Sequence, residues 1–336
     1  MNQLAADRAP PAAHPDLRST PLWHFISVRE AVLLATLLLL GLGIDLGSHG
    51  GLWYPANVTS FLVDFAITAI PATGMTIVIL TGGIDVSTGS MLGLIAALGG
   101  KVLAAGWGLA VAVPAFLLLG AFLGLVNAVI IIEGAVPPIV ATLGTLSIYR
   151  MFVFIALGST WLTDIPPILT KIFVTTKLGP LPMATLLALA VMAGFAAFLR
   201  YFRLGRHIYA LGNNEEAARL AGLNVRWIKR GSYVLIGVFT GLAALLTLGQ
   251  SPLVQTSTGS GFVLTVIAAV VLGGTELSGG KGTIFGTLLG TLIVQLVEDG
   301  VVLLHIQPFW SGVLLGVIIL ASVGLSHAWR RPAEAA

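Results

Sequence analysis

The chain has 336 residues, of which 57% are hydrophobic and only 9% are charged, and it contains 41 glycines and no cysteine. Soluble domains are about half apolar and about a quarter charged, so this composition excludes a soluble protein. It also excludes a disulfide framework and any site that needs a cysteine thiolate. The formal net charge is +3, but the basic residues lie between apolar stretches, so no nucleic-acid partner is expected.

Apolar stretches of about 20 residues predict ten transmembrane helices, of which the third and eighth are short or rich in glycine. The first is interpreted as a retained anchor, with a cleaved secretory signal as the alternative. We expect an all-α polytopic membrane protein with a polar tail at 1–28, a transmembrane domain at 29–327 and a second tail at 328–336. The ten predicted spans are 30–47, 58–80, 88–105, 108–132, 136–157, 179–199, 231–250, 262–274, 283–304 and 308–326.

The distribution of basic residues predicts the orientation. With ten spans both termini share one side of the membrane, together with the loop at 200–230. Thirteen Lys and Arg residues then lie on that side, and three lie opposite, at Lys101, Lys171 and Lys177. Because cytoplasmic loops carry the excess of positive charge, we expect the termini and this loop to be cytoplasmic.

The loop at 200–230 is the largest polar segment and holds seven of the 17 basic residues. Asn213 followed by Glu216 has the spacing of a capping box, and either Asn213 or Asn214 is suited to cap a short helix that ends near Gly222. Its small residues Ala217, Ala218 and Ala221 favour close approach of another protein. The alternative is a basic loop that only fixes topology, which would need no Asn-Asn-Glu-Glu-Ala-Ala sequence.

A glycine-rich pattern occurs twice, after the second and eighth predicted spans. Residues 82–89 and 273–280 both fit Gly-Gly-x-acid-aliphatic-Ser-x-Gly, and both follow an aliphatic triplet that ends in leucine. The echo indicates a possible internal repeat, which is common in transporters and tends to place the site where the repeats meet. Six spans separate the copies, so we expect both on the same membrane face.

Enzymatic chemistry is not expected. Leu277-Ser278-Gly279-Gly280-Lys281 resembles the signature loop of ABC ATPases, yet the glycine and the Ser or Thr of a phosphate-binding Walker A loop are missing there and elsewhere. The six histidines are scattered without metal-ligand spacing, and there is no Gly-x-Ser-x-Gly sequence. No metal site and no bound cofactor are predicted.

Ionisable residues inside apolar spans are candidate sites for function. Asp64 and Arg150 lie in the second and fifth spans and are expected either to pair or to line a polar path. Asp85 and Glu276, in the repeated loops, are expected at the cytoplasmic mouth. Pro71, Thr73-Gly74 and Pro137-Pro138 are expected to loosen their helices. The candidates for the pathway or its gates are Asp64, Gly82, Gly83, Asp85, Ser87, Arg150, Gly273, Gly274, Glu276, Glu298 and Asp299.

Three stretches, at 80–87, 205–222 and 273–283, resemble the membrane permeases of bacterial ABC sugar importers of the ribose, xylose and arabinose type, which are related to branched-chain amino-acid permeases. The resemblance covers roughly 30–326, and the middle stretch carries most of its specificity. It departs from the family at Glu298-Asp299-Gly300, where Asn-Gly is expected, and this leaves the outer gate and the substrate open.

The resemblance implies a permease dimer, homomeric or with a paralogue, in the bacterial inner membrane. It also implies cytoplasmic ATPase subunits that use ATP and Mg, and a periplasmic binding protein that delivers a sugar or related solute. In that family a short helix in the loop between the sixth and seventh spans enters a groove of the ATPase and couples ATP hydrolysis to transport. The residues matching this coupling helix are Gly205, Arg206, Asn213, Asn214, Glu215, Glu216, Ala217, Ala218, Arg219 and Gly222.

Two other classes are weighed against this interpretation. An ion-coupled secondary transporter would use Asp64 or Asp85 as its cation or proton site, although most acidic residues lie at span ends. A receptor or scaffold without transport activity is disfavoured by ten spans with glycine-rich breaks.

Overall fold

A computed structural model describes residues 28–158, 160–307 and 309–328, and most of them are helical. The ten predicted spans are all observed as helices. The predicted tails lie outside the described residues except for Val28 and Ala328, and with them lie Arg8, Arg18, Arg330 and Arg331. The helices that match the spans are α1 (Val28–Gly47), α2 (Pro55–Leu80), α3 (Thr88–Ala104), α4 (Leu109–Ile132), α5 (Pro138–Leu157), α7 (Met183–Tyr201), α10 (Val225–Gln250), α11 (Phe262–Leu272), α12 (Ile284–Leu303) and α13 (Phe309–Ala328).

The remaining elements are short. They comprise α6 (Ile168–Thr170), α8 (Arg203–Asn213), α9 (Glu215–Leu220), a 3-10 helix (Gly51–Trp53), a π-helix (Lys171–Thr175), and a two-stranded antiparallel sheet of β1 (Lys177–Leu178) and β2 (Leu181–Pro182). Among the described residues, seven helices are long and apolar enough to cross a membrane, whereas α3, α11 and the segment Phe309–Leu320 are apolar but shorter. The prediction of an all-α polytopic membrane protein is therefore confirmed.

The core of the bundle forms around α10, which packs between α4 and α2. Gly120 of α4 lies against the backbone of Gly237, and Gly124 lies against the backbone of Tyr233. A side chain at either position would overlap a carbonyl oxygen of the facing helix. Small residues at such crossings let helices approach closely in a membrane, where packing rather than the hydrophobic effect drives association.

Glycines also allow close backbone packing in the second half of the bundle. Gly273 and Gly286 lie backbone to backbone where α11 meets α12, and Gly290 lies against Ala269. The irregular segment at 251–261, between α10 and α11, packs on α3 through contacts of Gly259 with Gly89. Non-helical backbone of this kind is tolerated at membrane depth where it is buried or lines a cavity.

The prolines that were expected to loosen two helices do not interrupt either of them. Pro71 lies inside α2, which continues to Leu80 as one buried helix. Pro137 is the residue before α5, and Pro138 occupies its first turn, where a missing amide hydrogen leaves no bond unmade. Pro138 therefore starts α5, and Pro71 lies within a continuous α2.

Candidate functional site

The polar loop between α7 and α10 contains two helices rather than one. Residues 203–213 form α8, which sequence analysis did not anticipate, and a single residue, Asn214, separates it from α9. Helix α9 has six residues and is shorter than predicted. The basic residues Arg226, Lys229 and Arg230 belong to the first turns of α10, which begins at Val225 instead of near 231.

Both ends of α9 are capped. The side-chain oxygen of Asn214 accepts from the backbone amide of Ala217 at 2.9 Å, and Glu215 and Glu216 lie at the positive end of the helix dipole. Gly222 has a φ of +82°, and the amide of Leu223 donates to the carbonyl of Ala218 at 3.1 Å, which completes a Schellman motif.

The predicted capping box at Asn213 does not form. Asn213 is the last residue of α8, and its side chain donates to the carbonyl of Tyr209 at 3.0 Å. Asn214 has extended backbone angles suited to a cap, whereas Asn213 is helical. Two adjacent asparagines thus end one helix and start the next.

Helix α9 packs against the bundle on one side and is exposed on the other. Ala218 is only 4% exposed and packs with Leu211 and Ile228, so the expectation that it faces a partner was wrong. Ala217 and Ala221 are exposed, and Leu220 is 81% exposed. An ion pair of 2.6 Å between Lys229 and Glu215 also ties α9 to α10. The exposed residues form one apolar face outside the spans.

Earlier in the same loop, Gly205 and Arg206 of α8 differ in their surroundings. Gly205 is buried against the backbone of Leu199, which a side chain would overlap, while Arg206 is exposed. Arg219 forms an ion pair with Glu216 within α9. Surface pairs of this kind contribute little stability, so packing of Ala218 and the two caps position α9.

The two glycine-rich loops share a backbone motif, but their register differs from the predicted one by a residue. After α2 and α11 the left-handed positions are Gly82 (φ +79°) and Gly274 (φ +100°). Gly83 and Thr275 then donate to the carbonyls of Val78 and Val270, in two Schellman motifs. The repeat therefore duplicates the helix ends, and Asp85 is not the structural equivalent of Glu276.

Asp85 is fully buried and does not lie at an open mouth, contrary to expectation. Its carboxylate accepts from the amide and hydroxyl of Ser87 at 2.9 and 2.6 Å and from the side-chain amide of Asn127 at 3.0 Å. The hydroxyl of Tyr149 donates to Asn127 at 3.3 Å. Burial raises the pKa of the Asp85 carboxyl, and the bonds from Ser87 and Asn127 oppose this shift. The network joins the first glycine loop to α4 and α5.

The second glycine loop is held by contacts with Lys281 and with Arg29 of α1. Glu276 is partly exposed and lies 3.6 Å from Lys281. Arg29 of α1, which the sequence counted only as a topology residue, donates to the carbonyl of Gly274 at 3.0 Å. A guanidinium at this position satisfies a carbonyl left free at the end of α11 and is favoured by the helix dipole.

A polar cavity of about 400 Å³ lies at the ends of α2, α10 and α12 remote from the polar loop. Asp64 lies 16 residues before the end of α2, so at 1.5 Å per residue the cavity is about 24 Å from Leu80 along that helix. The cavity is lined by Asp64, Ile67, Thr68, Leu92, Thr247, Gln250, Gly259, Ser260, Gly261, Phe262, Leu264, Thr265, Gln295, Glu298, Ser311, Gly312 and Leu315.

The predicted pair of Asp64 and Arg150 does not form. Asp64 instead accepts from the side-chain amide of Gln250 at 2.6 Å. Arg150 donates to the carbonyls of Thr256 and Thr258 at 2.9 and 2.7 Å and so holds the irregular segment that borders the cavity. Arg150 therefore fixes the cavity wall without lining it.

The two acidic residues near the end of α12, Glu298 and Asp299, have different hydrogen-bond partners. Glu298 lines the cavity and accepts from the hydroxyl of Thr265 at 2.8 Å. Asp299 accepts from the side-chain amide of Gln295 at 3.0 Å. Sequence analysis missed Gln250, Gln295 and Thr265, although polar residues inside apolar spans are a signal that could have identified them.

A family model described as "Branched-chain amino acid transport system / permease component" matches residues 57–323. The chain belongs to this family. No solved structure matches it. The match confirms the expected relation to branched-chain amino-acid permeases, and the chain is a multi-pass membrane protein.

Curated relatives extend this result. The permease is 37% identical to "Ribose import permease protein RbsC" of Escherichia coli (strain K12) over 271 residues, which cover 80% of this chain and 84% of the relative. It is 35% identical to "Autoinducer 2 import system permease protein LsrC" of Yersinia enterocolitica over 272 residues, which cover 79% of this chain and 74% of the relative. These relatives confirm the resemblance to the permeases of bacterial ABC sugar importers. Residues 57–323, which the family model matches, include both glycine loops, the polar loop and the residues that line the cavity.

Proposed function

We propose that this chain is the permease subunit of an ABC importer and forms the pathway for a neutral sugar-like solute. ATP hydrolysis, with Mg, takes place in separate ATPase subunits, and a periplasmic binding protein delivers the solute. A second permease, identical or paralogous, completes the pathway. The relatives whose names specify import of ribose and of autoinducer 2 support this proposal.

The observation that carries the proposal is the exposed face of α9. A helix of six residues is marginal in water, and this one has two caps and a buried anchor at Ala218. Its outer face presents Leu220 between Ala217 and Ala221, and an apolar side chain that is 81% exposed gains stability when a partner covers it. A groove on the ATPase is the partner that fits a short capped helix.

The charge distribution supports a cytoplasmic position for α9. The sequence predicts thirteen basic residues on the side of this loop and three on the other, so we infer that both termini and α9 face the cytoplasm of a bacterium, where ATP is present. The cavity then opens toward the periplasmic half of the membrane, where a binding protein delivers its solute.

The chemistry of the cavity supports a polyhydroxylated solute. Asp64 and Glu298 offer carboxylate acceptors, Gln250 and Gln295 offer amide donors, and the lining residues identified in the described chain include no lysine or arginine. Hydroxyl groups donate to carboxylates and accept from amides, whereas a phosphate or carboxylate on the solute would be repelled. Neutral sugars and polyols fit this set.

The first experiment tests docking. The permease is co-expressed with its ATPase and reconstituted, and Leu220→Glu is compared with Leu178→Glu, a change at another exposed leucine on β1 on the opposite side. We expect Leu220→Glu to abolish co-purification of the ATPase and uptake of labelled D-ribose, and Leu178→Glu to retain both. Normal ATPase binding and uptake in Leu220→Glu would exclude α9 as the docking helix.

The second experiment separates the energy sources. Uptake is measured with a protonophore and, separately, after ATP depletion. The proposal expects uptake to stop only when ATP is depleted. Loss of uptake with the protonophore at normal ATP would support the ion-coupled alternative, with Asp64 as the residue to test.

A further inference from the structure

The C-terminal end of α8 lies in direct backbone contact with both glycine loops. A Cβ at Gly212 would overlap the carbonyl oxygen of Leu80 and the backbone nitrogen of Gly280, and it would lie 2.8 Å from the Cα of Gly280. Backbone atoms cannot rotate away as a flexible side chain does. Glycine is therefore the residue that permits this approach, at a helical position where its conformational freedom is not otherwise needed.

The two loops also contact each other. The amide of Gly280 donates to the carbonyl of Leu80 at 3.1 Å, and a Cβ at Gly279 would lie 3.2 Å from the nitrogen of Gly82. The hydroxyl of Tyr209, one turn before Gly212, donates to the carbonyl of Gly282 at 2.9 Å. We call this set, Gly82, Tyr209, Gly212, Gly279 and Gly280, the glycine junction.

The glycine junction connects the polar loop to α2 and α12, two of the helices that line the cavity. Leu80 ends α2, whose Asp64 lines the cavity, and Thr283 caps α12, whose Glu298 also lines it. At 1.5 Å per residue, Glu298 is about 21 Å from the start of α12. Only Asn214 separates α8 from α9, so the two helices are joined without a flexible linker.

We propose that the glycine junction makes α2 and α12 move together when α9 is displaced, and that Gly212 and Tyr209 are positioning residues of the transport cycle. The inference rests on the proposed function, because the ATPase supplies the displacement. Contact between backbones leaves no side chain that can absorb a movement, and packed elements of this kind respond as discrete units. A single rotation of the loop then acts on both cavity walls.

The alternative is that these contacts only stabilise the fold. It predicts that Gly212→Ala lowers thermal stability and assembly, with no selective effect on the response to nucleotide. A measurement on the second glycine loop itself distinguishes the two, and it does not depend on knowing the transported solute.

The chain contains no cysteine, so a single reporter can be placed without background. Leu277→Cys, at a residue 38% exposed in the second glycine loop, carries a fluorescent or nitroxide label. The labelled permease is assembled with its ATPase in vesicles, and the signal is recorded without nucleotide and with a non-hydrolysable ATP analogue. Gly212→Ala and Tyr209→Phe are introduced separately, with Gly231→Ala as the matched control, since a Cβ at Gly231 meets no atom within 4 Å.

We expect the parent and Gly231→Ala to show the same nucleotide-dependent change in signal. Gly212→Ala is expected to bind the ATPase and hydrolyse ATP while losing most of this change, and Tyr209→Phe to lose about half of it. A full change in Gly212→Ala overturns the proposal. If Gly212→Ala does not assemble, Tyr209→Phe decides: a reduced change supports the proposal and a parental one overturns it.

The same experiment distinguishes failure of the junction from failure of the proposed function. If the parent complex does not bind the ATPase or respond to nucleotide, both proposals fall. If the parent responds and both variants respond equally, only the junction proposal falls.

Discussion

The side-chain amide of Gln250 donates to the carboxylate of Asp64 at 2.6 Å and joins the last turn of α10 to the middle of α2 at the wall of the polar cavity. The two residues are 186 positions apart in the chain. Their contact fixes an acceptor that faces the cavity and leaves part of its hydrogen-bonding capacity for a solute.

Replacement of Gln250 tests this contact. Gln250→Leu removes the donor and leaves the Asp64 carboxylate without that partner, which costs about 1.5–3 kcal/mol for a hydrogen bond to a charged group. We expect uptake to fall about tenfold or more, with normal membrane insertion and ATPase binding. Gln307→Leu, at an exposed glutamine, is the control and is expected to transport normally. Equal uptake by both variants would contradict a role for the contact.

Arg150 provides a test of the cavity wall. Arg150→Leu leaves the carbonyls of Thr256 and Thr258 without their donor, so we expect the segment at 251–261 to loosen. In the cysteine-free chain, a Ser260→Cys reporter should react several-fold faster with a membrane-impermeant maleimide when Arg150 is leucine. Arg150→Lys is expected to give an intermediate rate because a shorter donor reaches one carbonyl. An unchanged rate in Arg150→Leu would show that other contacts hold the segment.

The cap of α9 gives a graded prediction. Asn214→Ala removes the acceptor for the amide of Ala217 and costs about 1 kcal/mol of helix stability. We expect ATPase binding to weaken several-fold in a co-purification titration. Asn214→Asp keeps the acceptor and is expected to restore binding. Equal affinities for the alanine and aspartate variants would rule out the cap as the cause.

The buried network at Asp85 predicts an effect on stability. Asp85→Ala leaves the Ser87 amide without its acceptor and removes one of the two acceptors of the Asn127 side-chain amide, which still donates to the Ser87 hydroxyl at 2.8 Å. An unpaired buried donor costs about 1–3 kcal/mol. We expect the midpoint of thermal unfolding in detergent to fall by several degrees. Asp164→Ala, at an exposed loop residue, is the control and is expected to leave the midpoint unchanged.

Much of the fold was predictable because its causes are local in sequence. Ten apolar stretches of suitable length gave ten helices, and the third and eighth were already recognisable as short. The second cap of α9 was predictable from Gly222, since glycine readily adopts the left-handed backbone that a Schellman motif requires.

The candidate site was less predictable because its contacts join distant parts of the chain. Asp64, a candidate for the pathway, lines the cavity, yet its partner was expected to be Arg150, since charge alone suggested a pair. A neutral amide on α10 takes that place, and no spacing rule identifies it. Which asparagine caps α9 depended on α8, whose existence the polar composition of the loop concealed.

The register of the repeat illustrates the same limit. An alignment that pairs Asp85 with Glu276 matches the most residue types in the sequence. In the structure, however, the ends of α2 and α11 align one residue away from it. The backbone motif needs a glycine at one left-handed position and places no demand on the acid. Asp85 is therefore buried among hydrogen-bond donors, whereas Glu276 faces Lys281 near the surface.

Helix α2 continues past Pro71, and its length determines how far a tilt of the helix moves the cavity wall. Because Leu80 and Asp64 are about 24 Å apart on one continuous helix, a tilt of about 5° about its inner end would displace the cavity wall by about 2 Å. That displacement is as large as the distance between hydrogen and acceptor in a hydrogen bond, so it would break a contact with a bound solute. In the proposed permease, a small angular change of α2 would therefore be enough to release the solute.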